Sequence, residues 1–87
     1  MTDPLPDRVR LIISRIFSVP LADIRPDSGY ASLPGWDSLG QLNVILSLEQ
    51  EFGISIPPEA GESMLTIEDI VRALPSLIES HGDQYPT

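Results

Sequence analysis

The stretch GWDSLGQLN, residues 35–43, holds the hydroxyl whose surroundings could best do chemistry, that of Ser38. A serine can act as a nucleophile, cap a helix, or be a point of attachment. The first role needs a base within hydrogen-bond reach, and the single histidine, His81, stands near the far end of the chain. Metal chemistry has no better footing. There is no Cys, one His cannot form a cluster, and the acidic residues are not spaced like a calcium loop. The pairs Glu49/Glu51 and Glu68/Asp69 read as solvated faces. No catalytic or metal-binding residue is expected, so the chain does not read as an enzyme.

The capping role is well founded on spacing. Ser38 followed by Gln41 matches a capping box, and Asp37 could cap the same helix equally well. The absence of Cys adds a constraint: any thiol chemistry must come from something joined to the protein.

The elements that must position Ser38 are helical. From Leu5 to Phe17, the residues Leu5, Val9, Ile12, Ile13 and Ile16 keep helical spacing, with Pro6 in the first turn and Asp7 suited to the positive end of the dipole. Pro20 stops this helix. The connection VPLADIRPDSGYASLPGW is long for a compact domain unless its own side chains pin it, and Leu21, Ile24, Tyr30, Leu33 and Trp36 are placed to serve as anchors.

A second helix is expected over Ser38 to Phe52, closed by Gly53 in the left-handed conformation with Ile54 supplying an apolar contact. After it, Pro58 to Met64 should form a short, mobile element. The last helix starts near Thr66, capped by the Thr66 hydroxyl, with Ile67, Ile70, Val71, Leu74, Leu77 and Ile78 as its apolar stripe. Pro75 should kink or restart it. The core then covers about 5–78, with 79–87 a frayed tail of a single domain.

The second helix has two apolar faces. Val44, Ile45, Leu48 and Phe52 fall within an arc of about 100°, wide enough to face a core. Leu39, Leu42 and Leu46 fall in a separate arc of about 60°, with Gly40, Asn43, Ser47, Gln50 and Glu51 on the polar remainder. A neighbouring helix could cover the second stripe, but Leu39 directly follows Ser38, and an exposed Leu39 would mark a docking surface beside the serine.

Composition bounds the partners. The chain has 87 residues, enough for one small domain that buries about 60 to 65% of its unfolded surface. Five basic against thirteen acidic residues give a net charge of -8, which repels phosphate backbones and anionic bilayers and suits basic protein surfaces. No nucleic acid and no membrane is expected as a partner. No leader or spanning stretch is apparent, so the expected location is cytoplasmic and the expected form a free-standing monomer.

The run WDSLGQLNVILSLEQEFGISIP, with the helix before it and TIEDIVRAL after it, resembles the acyl carrier protein family from about Leu5 to Ile78. Asp37-Ser38-Leu39 opens the matching helix and Glu51-Phe52-Gly53 closes it. The resemblance implies an all-α four-helix bundle, three main helices plus a short one, with a long loop between helices one and two. It implies that Ser38 bears a covalent 4'-phosphopantetheine arm, installed from coenzyme A by a phosphopantetheinyl transferase. The arm's thiol would carry acyl groups as thioesters, and other enzymes would supply the chemistry. A phosphodiester on Ser38 would also sit at a helix N-terminus, where backbone N–H groups favour negative charge.

The resemblance further implies that Asp37, Leu39, Leu42, Leu46 and Glu49 form the face that docks partner enzymes, both acyl-loading and acyl-processing. The chain departs from the fatty-acid type, which places acids where Gly40 and Asn43 stand here, and Gln50 is likewise uncharged. A dedicated pathway such as polyketide or related natural-product synthesis is therefore expected. A fatty-acid carrier is one alternative. A carrier of aminoacyl or peptidyl groups is another, although it would usually show a glycine pair where Gly35-Trp36-Asp37 has one glycine. An unmodified acidic adaptor is the reading of a different class.

Overall fold

The computed structural model of the chain describes residues 3–84, with side chains as far as Ser80. Four α-helices follow one another: α1 (Leu5–Phe17), α2 (Ser38–Phe52), α3 (Pro58–Glu62) and α4 (Ile67–Gln84), with a short 3-10 turn at Leu21–Asp23 in the first loop. This is the all-α bundle of three main helices and one short helix.

α1 forms the centre and packs on both α2 and α4. Its stripe buries Val9, Ile12 and Ile13 against Val44 and Leu48 of α2 and Ile67, Ile70 and Leu74 of α4. Pro6 sits in the first turn, where no helical bond is lost, and Ser18 closes the helix in the left-handed conformation at φ 54°. Gly53 plays the same part after α2, and Ile54 behind it is buried.

The long loop is held down, though not by all five expected anchors. Ile24 and Trp36 are buried and Leu33 packs against the core, whereas Leu21 and Tyr30 are exposed. Arg10 replaces them from α1: its guanidinium donates to the carbonyls of Ile24 (3.1 Å) and Leu21 (2.9 Å). Further along, Ile67 N donates to Ser28 O at 2.9 Å and Tyr30 N to Leu65 O at 2.8 Å, tying the loop to the start of α4.

Thr66 caps α4 as expected, its Oγ1 accepting from Asp69 N at 3.1 Å. Pro75 lies inside one continuous helix, so the restart expected there does not occur. α4 also runs past Ile78 to Gln84, beyond the limit set for the core, because the polar residues after Ile78 continue the turns without needing a buried face. The rest of the expected tail, 85–87, lies outside the described residues. Met64, grouped with the short element in the sequence, is instead a fully buried plug after α3 has ended at Glu62. Among the described residues no helix is long and apolar enough to cross a membrane.

Candidate functional site: the start of helix α2

Ser38 is the first residue of α2, and its side chain is exposed. The cap is Asp37: its Oδ1 accepts from Gly40 N at 2.9 Å. The Ser38–Gln41 capping box does not form. Ser38 already has helical geometry, so its hydroxyl is not the acceptor of the first turn. It lies 3.2 Å from the Tyr30 hydroxyl. Capping and presentation are thus divided between neighbours, with Asp37 closing the helix and Ser38 facing outward.

Gln41 serves inside the molecule. Its Oε1 accepts the indole N–H of Trp36 at 2.6 Å, and its Nε2 donates to Gly61 O and Met64 O, each at 3.0 Å. One side chain therefore ties the loop end, α2 and α3 together just behind Ser38. The indole also stacks on Phe17, with ring centroids 5.5 Å apart.

Gly40, placed on the polar face from periodicity, is buried. A Cβ there would overlap the carbonyl oxygen of Gly35 and lie 2.9 Å from Phe17 Cε1. Gly35 makes this crossing possible at φ +89°. The absence of an acid at position 40 therefore reflects backbone packing, and only the exposed Asn43 and Gln50 remain as choices of surface charge.

The second apolar stripe of α2 is uncovered. Leu39 is 71% exposed, Leu42 53% and Leu46 49%. On the opposite side of the same helix, Val44 and Leu48 are completely buried. Asp37, also exposed, stands at the head of the stripe. Glu49 is half-buried and has an internal commitment, its Oε2 accepting from Ile56 N at 2.8 Å.

Beside Ser38 a groove of about 290 Å³ runs between α2 and α3, lined by Leu42, Ile45, Ile56, Pro57 and Gly61 among others. Ser38 stands at its edge. In α2 the amides of Ser38 and Leu39 precede the first i→i−4 bond, which Gln41 N makes to Asp37 O at 2.7 Å. An exposed hydroxyl, a helix N-terminus suited to an anion, and an adjoining apolar groove fit a phosphate-linked arm with an acyl cargo.

Sequence patterning missed Tyr30 as a neighbour of Ser38, Gly40 as a packing glycine, and Gln41 as a tether. For Gly40 and Gln41 a signal was present: a glycine in the first turn of a helix needs a reason, and a buried Trp needs an acceptor. Nothing in the spacing pointed to Tyr30.

With this geometry in view, residues 7–74 match the protein family described as the phosphopantetheine attachment site. The match spans most of the chain and includes α1 from Asp7 on, α2, α3, the loops on either side of α2, and α4 as far as Leu74. The chain belongs to this family, as a carrier protein of the acyl carrier protein type. Its members hold 4'-phosphopantetheine covalently, receive it from phosphopantetheinyl transferases, and work with partner enzymes.

Proposed function

We propose that the chain carries acyl intermediates as thioesters on a 4'-phosphopantetheine arm at Ser38 and presents them to enzymes that dock on the first half of α2. The observation that carries this is the exposed Ser38 hydroxyl at the head of α2, followed directly by a Leu39 that is 71% exposed. A serine used only as a cap would not need an uncovered leucine beside it.

When bound, the arm supplies the thiol that the sequence lacks. The chain's own residues hold and orient. Asp37 fixes the first turn, the helix N-terminus offsets negative charge at Ser38, and Gln41 holds α3 beside the groove. The polypeptide catalyses no step itself. For an acyl chain to enter between the helices, the short α3 shifts away from α2 at the expense of the Gln41 bonds to Gly61 O and Met64 O.

Leu39, Leu42 and Leu46, with Asp37 at their head, make the docking face. Glu49 joins it only through whatever part of its carboxylate the Ile56 amide leaves available. Such a face suits partners that pair a small apolar patch with basic residues. The protein works as a monomer in the cytoplasm.

The cargo is best read as an acyl group of a polyketide or related natural-product pathway. Uncharged Asn43 and Gln50 on the exposed side of α2 support this over primary fatty-acid synthesis. The aminoacyl alternative rests on the same arm. Offering the armed protein to an acyltransferase and to an adenylating enzyme, each with its labelled substrate, separates the two. Label that neutral hydroxylamine releases, found with the acyltransferase alone, supports the acyl reading. Label found only with the adenylating enzyme overturns it. An unmodified adaptor would retain its biology in Ser38→Ala, whereas a carrier would lose it completely.

A further inference from the structure

We propose that Tyr30 is a positioning residue for the Ser38 attachment, an inference that rests on the carrier reading above. The Tyr30 hydroxyl lies 3.2 Å from Ser38 Oγ, and in the unmodified protein either oxygen can donate. Tyr30 is 41% exposed and is not among the residues packed against the core, so core packing does not explain its place.

Its backbone, by contrast, is built into position. Gly29 pairs with Thr66 in an isolated antiparallel bridge, and Tyr30 N donates to Leu65 O at 2.8 Å. A Cβ at Gly29 would overlap the Leu65 carbonyl oxygen, so only glycine allows this approach. Ser28 before it is buried and accepts from Arg25 N at 2.9 Å through its hydroxyl. The segment that carries Tyr30 is thereby anchored to the start of α4, and Ala31 N, donating to Trp36 O at 3.3 Å, ties it to the entry of α2 as well. Ser38 is held by the Asp37 cap. The bridge to α4, the turn that ends at Trp36 and the Asp37 cap together bring the two hydroxyls into reach.

The chemistry of attachment makes this pairing directional. When Ser38 Oγ attacks the pyrophosphate of coenzyme A, an Oγ–P bond forms and the P–O bond to adenosine 3',5'-bisphosphate breaks. The serine proton leaves to a base of the transferase. Tyr30 donating to Oγ leaves that proton directed away from the phenol and restricts an otherwise free exposed rotamer. Afterwards the ester oxygen carries no proton. Tyr30 is then the only possible donor of the pair, and because the negative charge lies on the non-bridging phosphate oxygens rather than on Oγ, a bond from Tyr30 to one of those oxygens is the stronger one.

The test is Tyr30→Phe, which removes one exposed hydroxyl and keeps the ring. With coenzyme A and a phosphopantetheinyl transferase, kcat for modification should fall about threefold to tenfold, the weight of one hydrogen bond, with KM for the carrier unchanged. The phosphorus-31 resonance of the serine-linked phosphodiester in the modified protein should also move from its wild-type position. Both changes are required. A wild-type kcat, an unmoved phosphorus resonance, or a loss confined to KM, which would make Tyr30 a transferase contact, overturns the proposal. A wild-type protein that accepts the arm while Tyr30→Phe behaves identically defeats the role of Tyr30 alone. A wild-type protein that never accepts it defeats the Ser38 reading as well.

Discussion

Trp36 donates its indole N–H to Gln41 Oε1 at 2.6 Å, and the same Gln41 amide group reaches two carbonyls beside α3. The last residue of the long loop is thereby joined to the element that borders the groove. Gln41→Met keeps the volume and helix propensity but leaves three polar groups without this partner. Stability should fall by about 1–3 kcal/mol, read from urea denaturation, and the indole N–H proton resonance of Trp36 should shift. An unchanged midpoint would show that water replaces the amide at no cost.

Ser38→Ala should leave stability within about 0.5 kcal/mol of wild type, because the hydroxyl is exposed and is not the cap. Asp37→Ala should lose about 0.5–2 kcal/mol, the usual value of an N-cap. Parallel thermal denaturation of the two variants checks this, since 1 kcal/mol moves Tm by about 4–8 °C in a domain of this size. The opposite ranking would restore the capping box to Ser38.

Two glycines should fail for different reasons. Gly40→Ala forces its methyl group into the Gly35 carbonyl and should cost about 1–3 kcal/mol while disturbing Trp36 fluorescence. At Gly53, φ is +64° and a Cβ would meet nothing within 4 Å, so Gly53→Ala should cost only the left-handed backbone penalty of about 1–2 kcal/mol and leave the fluorescence unchanged.

The two faces of α2 should separate by function. Leu48→Ala removes a fully buried side chain and should cost about 2–5 kcal/mol. Leu39→Ala and Leu42→Ala should stay within about 0.5 kcal/mol of wild type yet slow transfer to or from partner enzymes. Denaturation midpoints paired with loading rates make the comparison. Destabilised Leu39→Ala would mean that the stripe is packed in solution.

Much of this arrangement was legible in the sequence because it rests on periodicity and terminators. The spacing from Leu5 to Ile16, the Gly53-Ile54 ending of α2 and the Thr66 cap each follow from local rules, and each appears where those rules place it. The Leu39–Leu46 stripe was legible as a second apolar face, but whether a neighbouring helix covered it was not, and its exposure is known from the structure. What escaped depends on loop and helix meeting. Gly40 is buried because Gly35 folds back over it, Arg10 fastens the loop after its helix at the Leu21 and Ile24 carbonyls, and Tyr30 reaches Ser38 beside the Gly29 bridge to Thr66. The partners stand close in sequence, Tyr30 and Ser38 eight residues apart and Arg10 and Ile24 fourteen, but each contact crosses a helix–loop boundary, where no repeating spacing reports which side chains meet. At Pro75 the local rule offered a kink or a restart, and α4 continues through it without restarting.

The central claim is that Ser38 Oγ is where the arm is joined. Intact-mass spectrometry of the protein after incubation with coenzyme A, magnesium and a promiscuous phosphopantetheinyl transferase, followed by fragmentation to locate the adduct, tests it directly. The wild-type chain should gain one phosphopantetheine on Ser38 and Ser38→Ala should gain none. A wild-type chain that stays bare, or an adduct on any other residue, would contradict it.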